Sequence, residues 1–197
     1  MKALKIFGIV IGSIIVLVII IGVVFWALIR RPSKLASQVT PVTSSAQASQ
    51  SFDTQWNDFQ STVAQDTKGT PVTVTLTQEE VDSKINDGLN TASLPAGLSV
   101  SNLNVNLENG EILLAADVKY SIFTGTAAME ATVQAVNGQP TITVTKVDMG
   151  ALPIPQSMKD QLKGLIPTDS LFQTNSGFYT QSVQIINEQL IISGVTQ

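Results

Sequence analysis

Leu103-Asn104-Val105-Asn106-Leu107-Glu108-Asn109-Gly110-Glu111-Ile112-Leu113-Leu114-Ala115-Ala116 is the stretch that decides the fold class. Leu103, Val105 and Leu107 alternate with polar residues, the period of a strand with one buried face. Asn109-Gly110 suits a two-residue hairpin turn, because both positions accept a positive φ at low cost. Beyond the turn, Ile112, Leu114, Ala116, Val118, Tyr120 and Ile122 keep one parity. The reading is an antiparallel hairpin.

Downstream the same texture continues. Gly125 interrupts, Ala127 to Val136 forms another strand, and Asn137-Gly138 turns the chain again. Ile142 and Val144 change phase to Val147 and Met149, which predicts a bulge around Thr145–Lys146. Gly150-Ala151-Leu152-Pro153-Ile154-Pro155 is an extended connector, since proline removes a donor and disfavours helix before itself. Met158, Leu162, Leu165 and Ile166 mark a short helix that Pro167 ends. Val183 to Val195 forms a last strand pair about Asn187-Glu188. It echoes the first hairpin: Val105, Leu107, Asn109, Ile112, Leu114 and Ala116 answer to Val183, Ile185, Asn187, Leu190, Ile192 and Gly194. We expect both hairpins to join one sheet.

Upstream, Val72, Val74 and Leu76 alternate with threonines as a half-buried strand. Thr77-Gln78-Glu79-Glu80 has the form of a capping box, and Val81, Ile85 and Leu89 carry a helix to about Asn90. Phe52, Trp56, Phe59 and Val63 form an apolar stripe on a helix of 51–65, with Ser51 as its N-cap, packed on the domain. Ala36–Ser51 is uncharged and rich in Ser, Thr and Gln, the composition of a solvated spacer. Phe7 to Ile29 contains no charge at all. As a helix it is about 34 Å long, enough to cross a ~30 Å hydrocarbon core. It lacks the small-x-small site of a cleaved signal peptide and has basic flanks at Lys2, Lys5, Arg30, Arg31 and Lys34. The expected organisation is an anchor at 1–34, a spacer at 35–51, an amphipathic helix at 52–69 and a domain at 70–197.

Five of the 11 basic residues flank the apolar run, whereas all 15 acidic ones lie at Asp53 or later. The remainder of the chain, residues 35–197, therefore carries six bases against fifteen acids, a balance of −9. That balance opposes binding to nucleic acid or to anionic lipid by charge. With no histidine and no cysteine, Ser–His and Cys–His nucleophiles, thiol chemistry and the usual zinc sites are excluded. No S-x-x-K motif and no phosphate-binding glycine loop is present. Glu79, Glu80, Asp82 and Asp87 share one helix, where capping, the helix dipole and solvation account for them. Asp82 to Gly88 is a poor calcium loop, because Lys84 takes a ligand position. Asp117 and Glu130 are expected to face solvent. No catalytic residue, metal site or cofactor is predicted, and the chain reads as a non-enzyme.

Ala115, Ala116, Ala127, Ala128, Ala131 and Ala135 are small residues that leave room above a sheet. Helix side chains fill that room as a dry core, or an elongated ligand such as an acyl chain does. The order of signals from Thr75-Leu76-Thr77-Gln78-Glu79-Glu80-Val81, through Ile85-Asn86-Asp87-Gly88-Leu89 and the two Asn-Gly turns, to Val147-Asp148-Met149-Gly150-Ala151-Leu152-Pro153-Ile154-Pro155 is a further feature. It resembles the YpmS-like family of membrane-anchored bacterial envelope proteins. More distantly it is similar to LmeA-type phospholipid-binding domains, which are related to tubular lipid-binding folds. The resemblance implies an outward-facing domain with a curved antiparallel sheet around a helix, and lipid binding from the remoter likeness. It brings no catalytic residues.

The expected fold is α+β, a transmembrane helix followed by a curved antiparallel sheet wrapped around one or two helices. The expected protein is single-pass in the cell membrane. Residues 7–29 contact the bilayer, and the C-terminal domain is extracytoplasmic. The basic flanks, two before the span and three after it, lean the other way; the uncharged spacer and the resemblance lean outward. The expected function is non-catalytic binding of a lipid or other amphipathic molecule. Its groove is lined by Leu114, Ala116, Met129, Met149, Leu152, Ile154, Met158 and Leu162. The alternative is a protein-interaction module in envelope assembly without a ligand cavity.

Overall fold

The computed structural model describes residues 33–91, 98–120, 123–148 and 177–197. The span expected at 7–29 lies outside them. Among the described residues no helix is long and apolar enough to cross a membrane. A single 3-10 turn at Ala36–Gln38 is followed by α1 (Ala46–Gln65), β1 (Pro71–Thr77) and α2 (Gln78–Thr91). Then come β2 (Leu98–Glu108), β3 (Glu111–Tyr120), β4 (Phe123–Val136), β5 (Gln139–Asp148), β6 (Phe178–Ile186) and β7 (Gln189–Thr196). The class is α+β, as expected, with every strand pairing antiparallel.

The local signals give the local structure. Asn109-Gly110, Asn137-Gly138 and Asn187-Glu188 all hold positive φ at both positions, the backbone of a type I′ hairpin turn. The phase change in β5 is a bulge: Glu130 faces Lys146 and Ala131 faces Val144, so Thr145 is skipped in the register. The capping box closes as drawn, with the Glu80 amide donating to Thr77 Oγ1 at 3.3 Å and the Thr77 amide donating to Glu80 Oε2 at 2.8 Å.

The single sheet of the sequence reading is two. Strands run β2-β3-β4-β5 in one and β1-β7-β6 in the other, so the two echoing hairpins lie in different sheets. The reason is at the edge of β2. Its outward Val105 and Leu107 amides are already taken by side chains of α2, so β1 adds to β7 instead. Both sheets turn one face to a common core with α1 and α2. Val72, Val74, Leu76, Ile85, Val105, Leu107, Val144 and Ile192 are among its buried members. Phe59 of α1 meets Phe178 of β6 edge-on, ring centroids 5.0 Å apart, as its place on the apolar stripe predicts.

Two further readings are corrected. α1 starts at Ala46, and its N-cap is Ser45, whose side chain accepts from the Ala48 amide at 3.1 Å; Ser51 is inside the helix. Residues 35–51 are also no solvated spacer. Ser33 and Leu35 are buried, and Leu35 inserts among Leu113, Ala115 and Ala128 on the outer face of the four-stranded sheet. The reason is that the backbone amides of Leu35, Thr40 and Val42 have no partner within the strap, and side chains of the four-stranded sheet reach them. Leu35 N donates to Asp148 Oδ2 at 2.8 Å, Thr40 N to Asn106 Oδ1 at 2.6 Å and Val42 N to Asn104 Oδ1 at 2.8 Å. Residues 33–45 form a strap from the outer face, around the β2 edge, to α1.

Truncating Leu35 to alanine empties the pocket that holds this strap. The expected result is a loss of about 2 kcal/mol of local stability. It should appear as faster amide exchange at 35–42, with the β3–β4 ladder unaffected; unchanged exchange there contradicts the packing described.

Candidate functional site

The polar centre of the molecule is the junction of strap, α2 and β2. Gln78 and Asp82 are one helical turn apart, a rise of about 6 Å, close to the ~6.8 Å between alternate strand residues. They therefore meet Leu107 and Val105 in register. Leu107 N donates to Gln78 Oε1 at 2.6 Å, and Val105 N donates to Asp82 Oδ1 at 2.8 Å. The other Asp82 oxygen accepts from Ser44 Oγ of the strap at 2.5 Å and from Asn86 Nδ2 at 3.2 Å. Ser45 N donates to Ser83 Oγ beside it at 3.0 Å. Asn86 also donates to the Leu103 carbonyl at 3.0 Å.

Asp82 is 0% exposed, so solvation does not account for it. This corrects the sequence reading, in which capping, the helix dipole and solvation accounted for all four acids of this helix. The acceptors are needed because an edge strand under a helix has no other partner for its amides. Burial, with a smaller push from the Glu79 charge, raises the Asp82 carboxyl above its ordinary value despite the Ser44, Val105 and Asn86 hydrogen bonds. Glu80, also buried, goes the other way. Burial pushes it up, but hydrogen bonds from Ser51, the Thr77 backbone, the Thr77 side chain and Gln55 outweigh that and hold it low. Lys84 pairs with Asp53 at 2.6 Å and so joins α2 to α1. Asp117 and Glu130 are half-buried rather than free in solvent: Asn102 donates to Asp117, and Lys146 lies 3.6 Å from Glu130.

Two clefts flank this junction. One, of about 500 Å³, lies between Pro41–Thr43 of the strap, Thr77–Glu79 and the Asn187–Gln189 turn. The other, of about 370 Å³, is lined by Ser44, Ser49, Asp53, Ser83, Asn86 and Asp87 among others. Their linings are polar, unlike the trough an acyl chain needs. Among the described residues no cluster of metal-ligating side chains is found.

Of the eight groove residues read from sequence, the structure places three. Leu114 and Met129 are cross-strand partners, and Ala116 follows two residues along the same inner face. All three belong to the common core, at 5%, 2% and 5% exposure. Met149, Leu152, Ile154, Met158 and Leu162 lie outside the described residues.

Sequence reasoning missed the outer face of the three-stranded sheet. Register sets Thr73 beside Ser193 and Ser182, and Thr75 beside Ile191 and Gln184. The next rows are Pro71, Val195 and Tyr179 at one end, and Thr77, Gln189 and Ile186 at the other. None of these residues is charged. Tyr179 and Ile186, at 42% and 48%, are two of the three exposed large hydrophobic residues among those described. The alternation of Thr with Val and Leu in β1 was the available signal, but only pairing with β7 and β6 makes it a surface. No protein-family model, curated protein or solved structure matches the chain.

Proposed function

We propose that this chain is a single-pass, membrane-anchored envelope protein of the YpmS-like kind, whose extracytoplasmic domain binds a protein partner without catalysis. The observation that carries the reading is the uncharged outer face of the three-stranded sheet in a chain whose residues 35–197 have a balance of −9. Charge depletion with exposed aromatic and aliphatic groups is the composition of an interface centre. Elsewhere three of the carboxylates are committed to structure: Asp82 to the β2 edge, Glu80 to its cap, Asp148 to the strap.

The test is a photo-crosslinking side chain at Gln184 in the full-length protein in its own membranes, with Thr143 on β5 as a second site. A discrete adduct at position 184 alone is expected, and Ile186→Glu should remove it while the melting temperature holds. An unpaired charge buried by a partner costs about 2 kcal/mol or more, roughly a thirtyfold loss of affinity. Equal adducts at both sites, or none, refute the reading.

The second reading, binding of a lipid or other amphipathic molecule, draws on Leu114, Ala116 and Met129 sharing one inner face. It predicts copurified lipid, detectable by mass spectrometry, and Met129→Trp should exclude it. Protein free of lipid as purified contradicts this reading.

A further inference from the structure

We infer that the strap is a rigid standoff that seats the outer face of the four-stranded sheet against the headgroup layer of the bilayer. This rests on the membrane-anchor reading and adds an orientation to it. From Ile29, the last residue of the apolar run, to the buried Ser33 is four residues, at most about 14 Å of chain. The headgroup layer on one side of a bilayer takes up roughly 6 Å of that. A free linker of 16 residues would instead let the domain wander, with a root-mean-square reach of about 22 Å.

The strap does not behave as such a linker. Leu35 is 1% exposed on the outer face, its amide is held by Asp148, and Thr40 and Val42 are held by Asn106 and Asn104. The chain therefore leaves the domain toward the membrane at a fixed place. Around that place the surface carries the Glu130–Lys146 pair, a mixed-charge patch compatible with zwitterionic headgroups. The uncharged face of the other sheet, across the common core, is left to the aqueous side.

The chain has no cysteine, so single cysteines at Lys146 and at Gln184 take a fluorophore without any background substitution. The experiment uses the full-length protein in phosphatidylcholine nanodiscs containing a lipid with a nitroxide on its headgroup. Quenching severalfold greater at position 146 than at 184 is expected. Leu35→Asp, and separately the pair Asn104→Ala with Asn106→Ala, should bring the two positions toward equality. Equal quenching in the unaltered background overturns the standoff, as does a gap that survives both strap variants. Failure of the protein to enter the discs overturns the anchor itself, a result separate from either.

Discussion

Replacing Asp82 with alanine is expected to destabilise the domain by about 3 kcal/mol, measured by urea denaturation. The substitution removes acceptors from Val105 N, Ser44 Oγ and Asn86 Nδ2 at once. The Val105 amide is left buried without a partner, which alone costs about 1–3 kcal/mol. Loss of the carboxylate's own desolvation penalty offsets part of the total. Asparagine is the informative second variant. Its carbonyl still accepts from Val105 and its amide can donate to Ser44, but that amide confronts the Asn86 amide. The expected cost is about 1 kcal/mol.

The two variants also separate the pH dependence. Because burial raises the folded value for Asp82, the folded state takes up its proton before the unfolded chain does. Asp82 thus adds stability as pH falls through that raised value, and the gain is complete below the ordinary 3.8. Glu80 has the opposite sign. Its stabilisation is fully present above 4.5 and is lost as pH falls through its lowered folded value. Relative to Asp82→Asn, the native protein should gain stability on acidification. A constant difference between the two across pH 3–7 disproves the assignment.

Gly194→Ala is expected to be as damaging, at about 3 kcal/mol. A Cβ at this position overlaps the Tyr179 carbonyl oxygen and comes within 2.9 Å of its carbon and 2.7 Å of the Phe178 ring. The obstacle is backbone, so no rotamer change relieves it. β6 must move away from β7, and with it Phe178, whose ring meets Phe59 across the core. An unchanged unfolding midpoint would falsify the account. The sequence echo makes the opposite suggestion, since it aligns Gly194 with Ala116, a tolerated alanine. Both positions lie beside a register shift of the neighbouring strand, between Ser101 and Asn104 for Ala116 and between Thr180 and Ser182 for Gly194. The difference is that at Gly194 the Tyr179 carbonyl and the Phe178 ring fill the space a Cβ would need.

The contrast shows how far the residues speak for themselves. The three Asn-led turns, the bulge at Thr145, the capping box of α2 and the apolar stripe of α1 follow from interactions spanning a few residues. Such interactions are the same wherever the segment ends up. The groove was less legible: Leu114, Ala116 and Met129 share a face because alternation is local, but what covers that face is not. The strap was misread for the same reason. Ser, Thr and Gln are as compatible with water as with a folded surface, and nothing near residue 35 announces Asp148 or Asn106.

Sequence alone determined that this chain is antiparallel and α+β, that all its acids lie at Asp53 or later and that histidine and thiol chemistry is closed to it. Tertiary structure alone decided that the strands divide into two sheets, that Asp82 is buried and that the strap is docked. Those outcomes depend on which donors are left over once the local elements have formed. A leftover donor is satisfied by whichever acceptor the fold brings near, however distant along the chain.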